Sequence, residues 1–171
     1  MLTLITGGSK CGKSAIAEDI LSQKKGRKIY IAAMMPFGEE AERTIERHRR
    51  LRSGKGFETI EKYTDIRELE LPDGCGILIE CACNLLANEM FSKGEKNAAE
   101  KIMNGLEKLS RNASELILVT SQIGDDGMDY PEETEEYIRQ LGILNASAAQ
   151  KADCVIEAVY GIPVLLKGTL K

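Results

Sequence analysis

Gly7-Gly8-Ser9-Lys10-Cys11-Gly12-Lys13-Ser14 satisfies the pattern G-x-x-x-x-G-K-[ST] in full. Each fixed position has a physical reason. The glycines let the backbone turn with its N–H groups pointing inward, where they and a following helix N-terminus attract anionic phosphate. Lys13 is placed to reach the β- and γ-phosphates, and the Ser14 hydroxyl to ligate magnesium (Mg2+). The alternative is a chance Gly-rich turn. Against it stand the apolar strand before the loop, Leu2 to Thr6, and the helical pattern after it, which are the flanks this loop requires.

A metal-assisted nucleotide site calls for a carboxylate at the end of a different apolar strand, on the same edge of the sheet. Glu80 closes Gly76-Ile77-Leu78-Ile79 and is the candidate, holding magnesium directly or through water. Its alternative is an acidic residue that ends a strand at the surface. His48 is the only histidine, and it lies among Arg43, Arg47, Arg49, Arg50 and Arg52. Guanidiniums so close disfavour the imidazolium and keep the ring neutral and nucleophilic. They also gather phosphate oxygens. A neutral imidazole beside a triphosphate can attack phosphorus to give a phosphoramidate. Taken alone, these residues favour the plainer alternative, a solvated basic helix face.

The elements that must position these groups alternate. Buried strands read at 2–6, 28–33, 76–80 and 116–120, with a shorter extended piece around 57–60. Helices read from Ser14 to Lys24, with Ala15, Ile16, Ile20 and Leu21 inward and Glu18, Asp19 and Lys24 outward. They read again at 39–52, near 84–92 and 97–111, and from about Pro131 to Lys151. Cys154 to Tyr160 and Val164 to Lys167 read as an antiparallel pair turning at Gly161-Ile162-Pro163. Strands alternating with helices mean an α/β fold with a mainly parallel sheet, and 171 residues without a linker or repeat make one domain, 1–171.

Composition removes several classes. A net charge of −4 and the absence of tryptophan argue against a nucleic-acid binder. The five cysteines, Cys11, Cys75, Cys81, Cys83 and Cys154, are odd in number and lack C-x-x-C spacing, so a disulfide framework or zinc site is not expected and a reducing cytoplasm is. No apolar stretch reaches the length of a membrane span, and the amino end reads as a core strand instead of a cleavable signal.

The residues together resemble the bifunctional adenosylcobinamide kinase/adenosylcobinamide-phosphate guanylyltransferase family. The likeness rests on Thr6-Gly7-Gly8-x-x-x-Gly12-Lys13-Ser14-x-x-Ala17-Glu18, on Tyr30-Ile31-Ala32, and on Glu40, Arg43, Ile45 and His48. It continues through Thr59-x-Glu61, Ile79-Glu80-Cys81, Asn88 and Phe91, and more loosely through Leu118-Val119-Thr120, Gly124, Asn145 and Ala152-Asp153. The resemblance implies a P-loop, RecA-like three-layer fold and two reactions. A nucleoside triphosphate (ATP or GTP) phosphorylates the aminopropanol hydroxyl of adenosylcobinamide, a corrinoid. His48 then takes GMP from GTP as a covalent intermediate and passes it to the cobinamide phosphate. By position it implies nucleotide contacts at Gly7 to Ser14, at Ala32, Ala33 and Met34, at Arg49, Arg50, Leu51 and Arg52, and at Glu61 and Glu80. A carboxylate such as Glu61 is suited to accept from guanine N1–H and its amino group. The family also implies a homo-oligomer, a trimer.

Two positions depart from the family pattern. Gln122 stands where a Glu is usual, and Ala146 follows Asn145 where the family has Gln. These leave two alternatives beside the two-step enzyme: a member with one activity or a changed acceptor, and a non-catalytic nucleotide-binding module. Retention of Lys13, Ser14, His48 and Glu80 favours the enzyme, because a binding module has no need of the nucleophile.

Overall fold

The computed structural model of the protein describes residues 1–36, 38–52, 54–124 and 126–169; at positions 40, 41, 44, 48, 51 and 52 the description extends to the backbone alone. Seven strands form one sheet among the described residues: β1 (Leu2–Thr6), β2 (Lys28–Ala32), β3 (Phe57–Glu61), β4 (Gly76–Ile79), β5 (Glu115–Val119), β6 (Cys154–Val159) and β7 (Ile162–Lys167). Their order is β3-β2-β4-β5-β1-β6-β7. All pairings are parallel except the last, between β6 and β7. This is the expected three-layer fold with a closing antiparallel hairpin, and one strand, β5, separates the loop-bearing β1 from β4.

The helices are α1 (Lys13–Ser22), α2 (Gly38–Arg52), α3 (Ala82–Ala87), α4 (Ala98–Asn112) and α5 (Glu132–Lys151). Strand residues alternate between two cores because successive side chains leave opposite faces. Ile5, Tyr30, Leu78, Ile117 and Ile156 meet Ala17 and Leu21 of α1. Leu4, Ile29, Ile31, Ile77, Leu116 and Leu118 meet α3, α4 and α5 through residues such as Leu85, Ile102, Leu106 and Leu144. Burying each such leucine or isoleucine contributes about 1.5–3 kcal/mol, and this two-faced burial is why the strands read as unbroken apolar runs. Since parallel strands place all their carboxyl ends on one edge, the fold delivers the ends of β1, β2, β3 and β4 to the same rim.

Two expectations are corrected. On α1 Leu21 is buried and Ile16 and Ile20 pack half-buried against the core as expected, but Ala15 is exposed and the other inward residues are Ala17 and Glu18. Glu18 does not face water: its carboxylate is buried and meets Lys55 Nζ at 2.6 Å. The lysine comes from the turn before β3, so no property of the helix sequence announced it. The hairpin turns at Tyr160-Gly161, one residue earlier than expected, and β7 begins at Ile162. Both turn residues have positive φ, 50° and 83°, as the tight two-residue turn matching strand twist requires. Tyr160 is not a residue type that signals this conformation, so the turn could not be placed from its composition.

Among the described residues no helix is long and apolar enough to cross a membrane, and all five cysteines are free.

Candidate functional site

Gly7 to Ser14 leave β1 at the rim and run into α1. Gly7 (φ 138°), Lys10 (φ 57°) and Gly12 (φ 98°) take positive φ, the backbone condition for turning successive N–H groups inward. The Lys13 ammonium donates to the Gly7 carbonyl at 2.9 Å and to the Gly8 carbonyl. The hairpin braces this loop from the side. Gly161 N–H donates to the Cys11 carbonyl at 2.8 Å. A Cβ on Gly7 would sit 2.6 Å from the Ala158 carbonyl oxygen, and one on Gly12 3.1 Å from Gly161 Cα. Glycine is therefore demanded at positions 7 and 12 by contact as well as by φ.

Glu80 emerges one residue beyond β4 and is buried, 7% exposed. Its carboxylate accepts from the Tyr30 hydroxyl on the neighbouring strand and from Met34 N–H at 3.4 Å. Register explains the meeting: Tyr30 pairs with Leu78 and Ile31 with Ile79, so Tyr30 and Glu80 share one face. From the sequence Tyr30 entered only through the family resemblance, with no role assigned to it. A tyrosine inside an otherwise aliphatic strand was the available signal, since a buried phenol needs a partner.

A cavity of about 230 Å³ opens between the ends of β2, β3 and β4 and the flank of α2. Ala32, Met34, Arg49, Glu61 and Glu80 line it, joined by Ile45, Glu46, Thr59 and Tyr63. Glu61 carries two donors: Arg49 meets Oε1 at 2.6 Å and the Tyr63 hydroxyl meets Oε2 at 2.9 Å. Burial, and then the Glu61 carboxylate, push the Tyr63 phenol above its ordinary pKa. Arg43, Arg49 and Arg50 turn to three different carboxylates. Arg43 pairs with Glu39 and Arg50 with Glu46 along the exposed helix, whereas Arg49 crosses to β3. Helix α2 carries His48, Leu51 and Arg52, whose side chains lie outside the described residues.

The cavity lining contains none of Gly7 to Ser14. In the sheet, β1 is three places from β2, roughly 14 Å at the usual strand spacing. Ala32, Met34, Arg49, Glu61 and Glu80 thus share a cavity that the phosphate loop does not line, and Glu80, which follows β4, stands two strand places from β1.

The positions that depart from the family pattern adjoin a second small cluster. The Asn145 side chain of α5 accepts from the Thr120 hydroxyl at 2.7 Å and donates to the Ser121 carbonyl at 3.1 Å. Gln122 follows directly. The Cys81 thiol, which caps α3 by accepting from Asn84 N–H at 3.4 Å, faces Cys83. That contact, helped by Ser121, Thr120 and Tyr137, holds the Cys83 thiol below its ordinary pKa despite burial.

As for chemistry, Ser14 and Glu80 offer a hydroxyl and a carboxylate, hard oxygen donors of the kind magnesium takes. Among the described residues no group of three or more His, Cys, Asp or Glu could hold a metal.

The comparisons with known proteins agree in direction. A family described as cobinamide kinase / cobinamide phosphate guanyltransferase matches residues 3–166. The chain is 27% identical to the bifunctional adenosylcobalamin biosynthesis protein CobU of Escherichia coli (strain K12), with 98% of this chain and 100% of that protein aligned. It is 27% identical to the bifunctional adenosylcobalamin biosynthesis protein CobP of Pseudomonas aeruginosa PAO1, with 98% of each chain aligned. The CobU protein of Salmonella typhimurium LT2 is likewise 27% identical, with 98% of this chain and 100% of that protein aligned.

Proposed function

Since this chain belongs to the cobinamide kinase / cobinamide phosphate guanyltransferase family, and is a transferase carrying its kinase and guanylyltransferase activities, we propose how its residues divide the two reactions. The observation that carries the proposal is the cavity joining Ala32, Met34, Arg49, Glu61 and Glu80 on the same rim as the phosphate loop. Guanine occupies this cavity, with Glu61 accepting from N1–H and the amino group, and the triphosphate runs along the rim toward Gly7 to Ser14.

His48 lies on α2 three residues beyond Ile45, which lines the cavity. Its imidazole nitrogen attacks the α-phosphorus of GTP. A P–N bond forms, the P–O bond to pyrophosphate breaks, and the ring proton passes to solvent. A phosphate oxygen of cobinamide phosphate then attacks the same phosphorus, and the P–N bond breaks as the ring takes a proton back from solvent to restore the imidazole. In the kinase step the phosphate loop holds the donor triphosphate and the aminopropanol hydroxyl of adenosylcobinamide attacks its γ-phosphorus. The bond from that phosphorus to the β,γ-bridging oxygen breaks to release the nucleoside diphosphate, and the hydroxyl proton passes to solvent. Lys13 and the loop N–H groups stabilise the charge on the phosphates in both steps. Ser14 and Glu80 would hold magnesium, which supplies further charge neutralisation when bound. Both reactions are chiefly problems of positioning.

The exposed, apolar edge strand β7, with Ile162 64% and Leu166 57% exposed, supports self-association, because such an edge invites pairing; a trimer is the assembly that the family resemblance implies. Five free cysteines fit a reducing cytoplasm.

The test is to incubate the protein with magnesium and GTP labelled at the α-phosphate, and to ask whether label stays on the denatured chain. Acid-labile, base-stable label that is absent from His48→Ala, and absent when the label is at the γ-phosphate, is the expected result. Folded wild-type protein that binds GTP and remains unlabelled would sink the covalent step.

A further inference from the structure

The two walls of the cavity belong to different loops. Ala32 ends β2 and Met34 follows it, while Glu61 ends β3 and Tyr63 follows it. The ladder between the two strands ends with Ala32 opposite Glu61, and one further bond, Lys62 N–H to the Ala32 carbonyl at 3.1 Å, closes it. Beyond that point the loops are held together from a third element. The Asn88 side-chain amide donates to the Ala33 carbonyl at 2.8 Å and to the Tyr63 carbonyl at 3.0 Å. Both amide hydrogens are used, one for each wall. Two facing carbonyls admit only donors, so the chemistry itself fixes which way the amide is turned.

Asn88 reaches this place because the helix changes its winding there. It is the first residue of a π-helical turn, Asn88–Ser92, that continues α3. Such turns are uncommon and recur at functional sites. The turn is anchored in its own right. Glu89, 1% exposed, accepts from Asp65 N–H at 2.6 Å and from Lys101 at 2.8 Å. A fixed turn thus presents one amide that sets the separation between the Ala33 and Tyr63 backbones.

We propose that Asn88 is a positioning residue for purine selectivity: by clasping both loops it sets the width of the cavity and the placement of Glu61 against the base. This rests on the cavity being the guanine site. Asn88 itself does not line the cavity. Alanine at this position removes both bonds, and aspartate turns acceptors onto two carbonyls.

The experiment measures the Kd of GTP and of ATP, the KM and kcat for α-label incorporation, and the Tm, for wild type, Asn88→Ala, Asn88→Ser and Glu89→Gln. In Asn88→Ala the preference for GTP over ATP falls about tenfold, from the loss of two modest hydrogen bonds. Most of that appears in the KM for GTP, with kcat changed less. Asn88→Ser, which keeps one donor, falls between. Glu89→Gln weakens the anchor of the same turn, so it lowers Tm while keeping the preference. A folded Asn88→Ala with wild-type preference overturns the proposal, and if that variant does not fold, wild-type preference in Asn88→Ser overturns it equally. Loss of preference in Glu89→Gln matching that in Asn88→Ala reduces the clasp to general loosening and also overturns it. A wild type that does not favour GTP removes the guanine reading, and the clasp with it; a selective wild type with equally selective Asn88 variants removes the clasp alone.

Discussion

Replacing Glu61 by Gln tests the base-reading part of the site most directly. The carboxylate has about four lone-pair directions. Arg49 takes one on Oε1 and the Tyr63 hydroxyl one on Oε2, so each oxygen keeps a direction for a further donor. Guanine presents two adjacent donors, N1–H and the amino group, whereas adenine presents an acceptor at N1. Glutamine turns one oxygen into an amino group that opposes a donor, and it removes the charge. A hydrogen bond to a charged group contributes about 1.5–3 kcal/mol. The Glu61 side chain is 50% exposed, and solvent screening trims this to about 1–2 kcal/mol. The expected result is a 5–30-fold weaker Kd for GTP, roughly the factor that 1–2 kcal/mol represents. Calorimetric titration with GTP, inosine triphosphate and ATP separates the contributions. The wild type should rank GTP above inosine triphosphate, which keeps N1–H but lacks the amino group, and both above ATP. In Glu61→Gln the three should converge with ATP nearly unchanged. An unaltered GTP-to-ATP ratio would refute the reasoning, and so would an equal loss for all three nucleotides.

Two further outcomes follow from the same geometry. Gly7→Ala forces a Cβ to within 2.6 Å of the Ala158 carbonyl oxygen at a φ of 138°. It should cost about 1–3 kcal/mol of stability in denaturant unfolding, and GTP should no longer raise its Tm. Lys101 pairs with Asp65 and with buried Glu89. Its hydrogen bond, above all, lowers the Asp65 pKa from the ordinary 3.8. A lowered folded-state pKa gives stability that is present above the unfolded value and lost as pH falls through the folded one. The stability gap between wild type and Lys101→Met should therefore be full at neutral pH and close below about pH 4, as read from unfolding curves across the acid range. A gap that does not change with pH would show that the Asp65 pair contributes nothing.

Much of this molecule was legible before its folding was known, and for local reasons. The phosphate loop is contiguous, so its glycines, Lys13 and Ser14 announce their chemistry through spacing alone. The buried strands show as apolar runs because both sheet faces are covered, and Glu80 stood out as the charge that ends one. Alternation of strands and helices then implied a parallel sheet with its functional ends on one rim. What the linear pattern could not carry were pairings across large separations. Glu18 reads as a solvent-facing helix residue until Lys55 is brought to it. Tyr30 and Glu80, fifty positions apart, meet only through strand register. Arg49 leaves its neighbouring arginines for Glu61, and Asn88 becomes a clasp because a π-turn aims it at two carbonyls of other loops. Hydrophobic periodicity and loop spacing are properties of neighbouring residues. The separation of two cavity walls is a property of the sheet, its register and the helix packed against it, and so only the tertiary structure decided it.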